Sequence, residues 1–458
     1  MRRAGGRRRG RRARLGPLAT GLAATRGERR AARRLSQRVP AALRAQRDDP
    51  VIRRRDLVKL AAVAALPAPA ARRSGGYDVA VIGAGVFGAW TAWHLQRAGR
   101  RVLIVDAYGP ANARASSGGE SRVIRLGYGK DEIYTRMALA SLRFWGDLSR
   151  RAALPVLHRI GVLELIGRDD RYARESGEAI RRAGGRVEDL SRSELAKRYP
   201  QISLEGITAG QLEPASGAVM ARRAVLTLVQ EMVAAGATYL QAAVAPPAGE
   251  GRLTDVRLRD GRALQAGAFV FACGPWLPRL FPQVLRDRIQ PTRQEVFFFG
   301  PPAGDRRFAP PALPVWADLS DLENIVYGMP DLEARGFKLA FDAHGPPIDP
   351  DALERQVTPA GLAASRDFLV RRFPALAQAP LVESRVCQYE NTSNGDFLID
   401  RHPELENVWL VGGGSGHGFK HGPAVGDYAA RALLGSLGSP EPRFSLATKQ
   451  VQQQRAVY

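Results

Sequence analysis

Gly83, Gly85 and Gly88 form a G-x-G-x-x-G turn, and Asp106 follows eighteen residues after the last of them. A chain turning from strand into helix around a pyrophosphate needs this pattern. The first glycine permits the tight turn, the second lets the phosphate reach the main chain, and the third lets helix and strand pack closely. The helix that starts there points unpaired N–H groups and the positive end of its dipole at the phosphate. An acid at the end of the next strand can accept hydrogen bonds from an adenosine ribose. A glycine-rich turn that binds nothing would leave Asp106 unexplained, so the expected ligand is a dinucleotide. The motif does not separate NAD(P) from FAD.

The elements that must hold these residues can be read from periodicity. Val79 to Ile82 and Val102 to Val105 are short β-branched runs, as buried strands require. A helix is expected over 132–148, with Tyr134, Met137, Leu142 and Trp145 on one face. Further along come a strand at 162–166 and a short helix at 191–199, capped by Ser191 with Glu194 at the capping-box position. An amphipathic helix at 224–235 precedes strands at 237–241, 254–258 and 268–272. The last of these opens into Cys273-Gly274-Pro275-Trp276. A strand-rich block, 295–299 and 324–341, sits apart from the nucleotide motifs. Val408 to Val411 leads into a glycine-rich loop ending at Lys420, with a helix at 423–434.

Nucleotide-type elements thus occur in three pieces. The expected fold is α/β, a Rossmann-like domain assembled from 77–158, 213–290 and 385–440, with a tail at 441–458. A β-rich, mixed-sheet substrate domain would come from 159–212 and 291–384.

Charge is distributed unevenly. The chain carries a formal +23, but residues 1–76 hold 22 Lys and Arg against 4 Asp and Glu, which leaves +5 for everything after them. Residues 1–50 are mostly Arg, Ala and Gly and have no apolar period from which to build a core. They read as a disordered or non-native extension. A nucleic-acid-binding arm is the remote alternative, and the mature chain is not expected to bind nucleic acid. Residues 51–76 combine Arg53-Arg54-Arg55 with a short apolar run, Leu60 to Leu66, and small residues after it. That pattern resembles a twin-arginine signal and implies a periplasmic or secreted enzyme, with a cytoplasmic one as the alternative. Two cysteines, Cys273 and Cys387, are too few for a disulfide scaffold or a four-ligand zinc site. No stable membrane insertion is expected.

From Tyr77 to about Leu434 the chain resembles the monomeric sarcosine oxidase and N-methyltryptophan oxidase branch of the D-amino-acid-oxidase-like flavoproteins. The likeness rests on the dinucleotide motif and on five further stretches in order. These are Ser117-Gly-Gly-Glu-Ser-Arg122-Val-Ile-Arg125, Tyr327-Gly-Met-Pro, Gly336-Phe-Lys338, Val386-Cys387-Gln-Tyr389 and Ser415-Gly-His-Gly-Phe-Lys420.

The resemblance implies FAD, attached covalently through Cys387, with Arg122 as the cation beside the ring. It implies that Arg125 and Lys420 grip a substrate carboxylate, as a two-pronged guanidinium and a mobile ammonium can. Lys338 would assist reduction of O₂ through its charge, and Tyr327 would line the substrate pocket. Cofactor contacts are expected from Gly83, Gly85, Gly88, Asp106, Ala107, Ser117, Ser121, Arg122, Val244, Gly274, Trp276, Gly416, Gly418, Phe419 and Lys420. His417 would support its loop, and Cys273 is read as structural.

Two positions depart from the family. Gly118 and Asp342 replace two active-site histidines, so a roomier pocket at Gly118 and an extra acceptor at Asp342 are expected. Together they favour a bulky or cationic N-substituted amino acid over sarcosine. The activity so implied is oxidation of a secondary or tertiary amino acid at its C–N bond, giving an imine and hydrogen peroxide, by a monomer. The alternatives are a dehydrogenase of the same fold that feeds a quinone or carrier and, remotely, a basic nucleic-acid- or membrane-binding protein.

Overall fold

The computed structural model describes residues 76–450, all within the unit spanning residues 67–458. The basic extension, the twin-arginine stretch up to residue 75 and residues 451–458 lie outside the described residues.

The dinucleotide motif sits in a seven-stranded, mainly parallel sheet. Tyr77–Ile82 pairs in parallel with Val102–Asp106 on one side and with Ala263–Phe271 on the other. Thr238–Gln241 extends the sheet beyond Val102–Asp106. Val408–Gly412 extends it in parallel beyond Ala263–Phe271, and Leu398–Arg401 closes that edge antiparallel. Asp255–Arg257 pairs antiparallel with the start of Ala263–Phe271. Three separated stretches therefore feed one sheet. Its central strands are apolar throughout because both faces are covered. Val81, Ile104, Val270 and Val411 pack into one core together with helices Val86–Arg97 and Gly422–Leu433. Ile82, Val105, Phe271 and Leu410 pack into a second core on the other face.

A mixed eight-stranded sheet carries the rest. Its order is Leu381–Thr392, Ile289–Phe299, Phe337–Phe341, Val326–Met329, Val315–Leu319, Val162–Ile166, Ala209–Glu213 and Glu188–Ser191. Trp316, Phe297, Phe299 and Phe337 build its core against Phe368 and Leu369 of helix Pro359–Arg372. A small third sheet joins Ser121–Ile124, Gly217–Met220 and Leu157–His158. The expected cap is present: Ser191 and Glu194 form a reciprocal capping box on helix Arg192–Arg198.

Several expectations need correction. The strand-rich stretch expected at 324–341 holds two strands, Val326–Met329 and Phe337–Phe341, paired antiparallel; between them Glu333 and Gly336 take positive φ. Helices Arg171–Arg182 and Pro359–Arg372 were not expected. The boundaries at 290/291 and 384/385 both fall inside strands. Ile289–Phe299 and Leu381–Thr392 pair with each other from Ile289 opposite Thr392 to Phe299 opposite Leu381. A ladder that long cannot be shared between two domains without breaking its hydrogen bonds. Cys387 and Tyr389 therefore belong to the eight-stranded sheet.

Candidate active site

A cavity of about 340 Å³ lies at the C-terminal ends of the parallel strands, where open α/β sheets take their ligands. The chain leaves Tyr77–Ile82 through Gly83 at φ +105°, and a Cβ there would lie 2.2 Å from the Ala272 carbonyl oxygen. A Cβ on Gly88 would lie 1.9 Å from the Gly83 oxygen. These two glycines are held by main-chain contact, and Gly88 stays behind the cavity wall. Gly85 lines the cavity, with Ser117 Oγ the nearest atom to its missing Cβ at 3.7 Å.

Helix Val86–Arg97 begins with no side-chain cap and no acid in its first turn, so its positive end faces the cavity uncompensated. Val86 N–H donates to Ser117 Oγ at 3.1 Å. Asp106 accepts from the Ala84, Tyr108 and Gly109 N–H groups at 2.7, 2.9 and 2.9 Å. Burial raises its pKa against those three donors. Ala107, Val244, Gly274 and Trp276 line the same cavity. Cys273 also faces it, with Sγ 3.3 Å from the Ile82 oxygen, and burial pushes its thiol pKa well up. A tight turn, an uncompensated helix end and a buried acid fit a pyrophosphate and a ribose.

Gly416, Gly418, Phe419 and Arg122 line the other end. The Phe419 ring stacks on Trp145 at 5.5 Å, and the Arg122 guanidinium lies 5.9 Å from its centroid. Arg122 donates to the carbonyls of Ser121 and Ser116 at 2.8 and 2.6 Å. Lys338, 2% exposed, also donates to the Ser121 carbonyl, at 2.8 Å. One backbone oxygen thus gathers two cations. Burial, and then the charge of Arg122, lower the Lys338 pKa to about 7.

Cys387 is a free, half-buried thiol packed with Val296, Phe298, Ala340 and Tyr327. Its sulfur is near enough to Lys338, Arg355 and Arg385 to favour their protonated forms. Tyr389, two residues along the same strand, is on the cavity wall, whereas Cys387 is not. Tyr327 is half-buried and hydrogen-bonded to Tyr389.

The expected substrate residues converge on Tyr128. The Arg125 guanidinium lies 4.5 Å and the Lys420 ammonium 5.0 Å from the centroid of its ring. Lys420 donates to Tyr128 Oη at 2.6 Å and to the His417 carbonyl at 3.1 Å. Burial and the neighbouring Arg125 lower its pKa well below the usual lysine value, and Asp342 opposes them. Arg125 donates to Tyr172 Oη at 3.0 Å and to the Gly127 carbonyl. Burial disfavours its charge, but Tyr172, Tyr128 and Glu164 outweigh that and raise its pKa. The Asp342 carboxylate favours the protonated forms of Tyr128, Tyr327, Tyr389 and Lys420 alike, so it lies within electrostatic reach of all four. His417 bonds to Tyr128 at 3.2 Å and to the Gly395 carbonyl at 3.0 Å, as a loop support does.

Gly118 is a correction. The room expected there is filled by backbone, since a Cβ on Gly118 would meet the Asn112 oxygen at 2.3 Å and Ala113 at 3.0 Å. The 112–113 segment occupies the space a side chain would need, so no pocket opens there. Gly118 does not line the cavity, nor do Ser121, Cys387 or Lys420.

Other residues at the site were not singled out from the sequence. Tyr128 and His421 share a 2.7 Å hydrogen bond. Tyr108 and the expected Trp276 both donate to Asp351 Oδ1, at 3.1 and 2.8 Å. Glu164 is buried beside Arg125, and Glu390 lines the cavity. Tyr108, two residues after Asp106, and Glu164, inside the strand expected at 162–166, had a signal in their positions; Tyr128, His421, Asp351 and Glu390 lie outside the elements read from periodicity. Among the described residues no group of His, Cys, Asp and Glu could hold a metal ion, and no helix is long and apolar enough to cross a membrane.

Comparison with known proteins agrees with this geometry. The chain is 29% identical over 369 residues to monomeric sarcosine oxidase of Bacillus sp. (strain B-0618), covering 78% of this chain and 92% of that one. It is 27% identical over 368 residues to N-methyl-L-tryptophan oxidase of Salmonella heidelberg (strain SL476), covering 79% and 96%. Its fold matches the crystal structure of an amadoriase I variant from Aspergillus fumigatus with a TM-score of 0.68 at 20% identity, over 83% of this chain and 91% of that one. Residues 78–432 match the FAD-dependent oxidoreductase family of the D-amino-acid-oxidase (DAO) type, and with the dinucleotide cradle in place the chain belongs to that family as an FAD-dependent oxidoreductase.

Proposed function

We propose that this enzyme oxidises the C–N bond of an N-alkyl or cyclic amino acid to an imine and reduces O₂ to hydrogen peroxide. The observation that supports this reading best is the pair Arg125, half-buried, and Lys420, buried, flanking one tyrosine ring close to a carboxylate, Asp342. Bound FAD would supply the two-electron chemistry, taking a hydride equivalent from the substrate carbon and passing electrons to O₂. The chain's own residues do the rest. Arg125 and Lys420 receive the substrate carboxylate in a dry site, where each hydrogen bond to an ionised group counts for more than in water. Their hold turns the amine toward the cavity. Tyr327 and Tyr389 wall the pocket, and Asp342 offers an acceptor to a cationic side chain. Lys338 holds a proton on Nζ below about pH 7 and so places positive charge where charge develops on O₂.

Cys387 is proposed as the site of covalent attachment, with Arg122 stabilising negative charge beside it. A monomeric state, and export by a twin-arginine signal within residues 51–76, belong to the same proposal. Fractionation of cells expressing the chain with Arg53→Lys and Arg54→Lys would move a truly exported enzyme to the cytoplasm.

The activity is tested by mixing the yellow protein anaerobically with sarcosine, pipecolate, N-methyltryptophan and N-methyl-lysine. Bleaching of the flavin band, followed by recovery and stoichiometric peroxide on admitting air, is expected. Bleaching that only a quinone analogue reverses would give the dehydrogenase reading instead.

A further inference from the structure

Glu390 is 7% exposed, yet its side chain reaches the wall of the dinucleotide cavity. It lies on strand Leu381–Thr392, where successive side chains alternate between faces, so it points away from the side that carries Cys387 and Tyr389. Three glycines surround it. Its Oε1 accepts from Gly414 N–H at 3.3 Å. Its Oε2 lies 3.2 Å from where a Gly412 Cβ would be and 3.8 Å from where a Gly274 Cβ would be. Oε2 makes no hydrogen bond within the protein, and Glu390 forms no ion pair among the described residues. A buried carboxyl oxygen left in this state is destabilising, so a ligand group is the natural partner. Burial, opposed by the Gly414 and Gly413 N–H groups, pushes the carboxyl up to about 7.

Its place in the sheet identifies which part of FAD is nearby. Asp106 ends the strand on one side of Tyr77–Ile82 and marks the adenosine ribose. The Gly83–Gly88 turn ends the central strand and marks the pyrophosphate. Gly274 and Gly412 follow the next two strands on the opposite side, each step about 4.8 Å. A dinucleotide lying across the strand ends in this order passes its flavin-side polyol chain over Gly274 and Gly412. An acid aimed at the pyrophosphate itself would be repelled. One aimed at a polyol meets groups that both donate and accept. We infer that Glu390 is a cofactor-binding residue whose Oε2 exchanges a hydrogen bond with a hydroxyl of the ribityl chain of bound FAD. The contact depends only on FAD binding; it is independent of the substrate and of a covalent bond at Cys387.

The test is flavin affinity, measured by fluorescence titration of flavin-stripped protein carrying Cys387→Ala so that the flavin exchanges freely. FAD is compared with its 2′-, 3′- and 4′-deoxyribityl analogues. One of the three should bind about tenfold more weakly than FAD. Glu390→Met should weaken FAD by a similar factor and lose discrimination against that same analogue, while Glu390→Gln keeps part of it. If Glu390→Met weakens all four ligands equally, Glu390 merely braces the 412–414 loop and the inference fails. Equal binding of all three analogues and FAD by the parent protein overturns it too. Should Glu390→Met not fold, Glu390→Gln decides: a changed ratio for one analogue supports the contact, and unchanged ratios for all three refute it.

Discussion

The two ends of this site are built from different materials. At the nucleotide end the recognising groups are mainly backbone: glycines at strand ends, a helix N-terminus, and N–H donors that fix Asp106. At the substrate end they are buried or half-buried polar side chains: Arg125, Lys420, Lys338, Asp342, Glu164 and three tyrosines. Backbone recognition tolerates no added atom but is indifferent to pH. Side-chain recognition tolerates conservative exchange but depends on which groups hold protons. Burial pushes Glu164 up to about 7, and the neighbouring Glu213 adds to the shift while Arg125 opposes it. Lys338 is driven down to about the same value.

The largest expected effect is at the backbone end. Gly83→Ala forces a side chain onto a residue at φ +105° and into the Ala272 carbonyl, and Gly88→Ala drives one into the Gly83 oxygen. The strain alone is about 1–3 kcal/mol, and the overlap adds to it. Purified variants should contain little flavin, read as the ratio of visible to ultraviolet absorbance, and should melt at lower temperature. Full flavin content in Gly83→Ala would break the contrast between the two ends.

Cys387→Ala should leave the fold and the colour in place but make the flavin extractable by trichloroacetic acid. If the parent protein already releases its flavin to acid, covalent attachment is wrong and the family assignment is untouched.

Lys338 brings pH into the comparison. Its charge is present below about pH 7 and lost above it. Reoxidation of reduced enzyme by O₂ should therefore slow as pH rises through about 7, whereas anaerobic reduction by substrate should not follow that curve. Lys338→Met should abolish the pH dependence and slow reoxidation by roughly a hundredfold. Stopped-flow traces of both half-reactions check this; equal slowing of the two would mark Lys338 as structural.

The same contrast explains what was legible in the sequence. The cradle was readable because a backbone requirement leaves glycine no substitute, and the spacing from Gly88 to Asp106 is set by one helix and one strand. The central strands of that sheet were readable because both of its faces are buried; the edge strand Leu398–Arg401 was not. Leu381–Thr392 was not, since its inner and outer residues alternate polar with half-buried and leave no apolar run. Glu390 and Tyr128 gave no signal because their roles arise from partners hundreds of residues away or across another strand. Gly118 was misread for a related reason: a missing side chain says nothing about which backbone moves in to fill its place.

That correction sharpens the last prediction. With the room at Gly118 taken by Asn112 and Ala113, bulk no longer argues for a large substrate, and charge must carry the preference alone. Asp342 lies among Tyr128, Tyr327, Tyr389 and Lys420 and helps Lys420 keep its proton. A substrate with its own cation would compete for that carboxylate in a site with little water. A hydrogen bond of this kind is worth about 1.5–3 kcal/mol, or roughly ten- to a hundredfold in kcat/KM. N-methyl-lysine should therefore outperform sarcosine and pipecolate, and Asp342→Asn should erase most of the difference, chiefly through KM. Because Asp342→Asn also removes support for the Lys420 charge, it should weaken sarcosine slightly as well, most visibly at high pH. Lys420→Arg in the same background restores a permanent cation and separates the two effects. It should recover sarcosine turnover without restoring the preference for N-methyl-lysine. If sarcosine is the better substrate of the unaltered enzyme, Asp342 serves Lys420 and not the substrate.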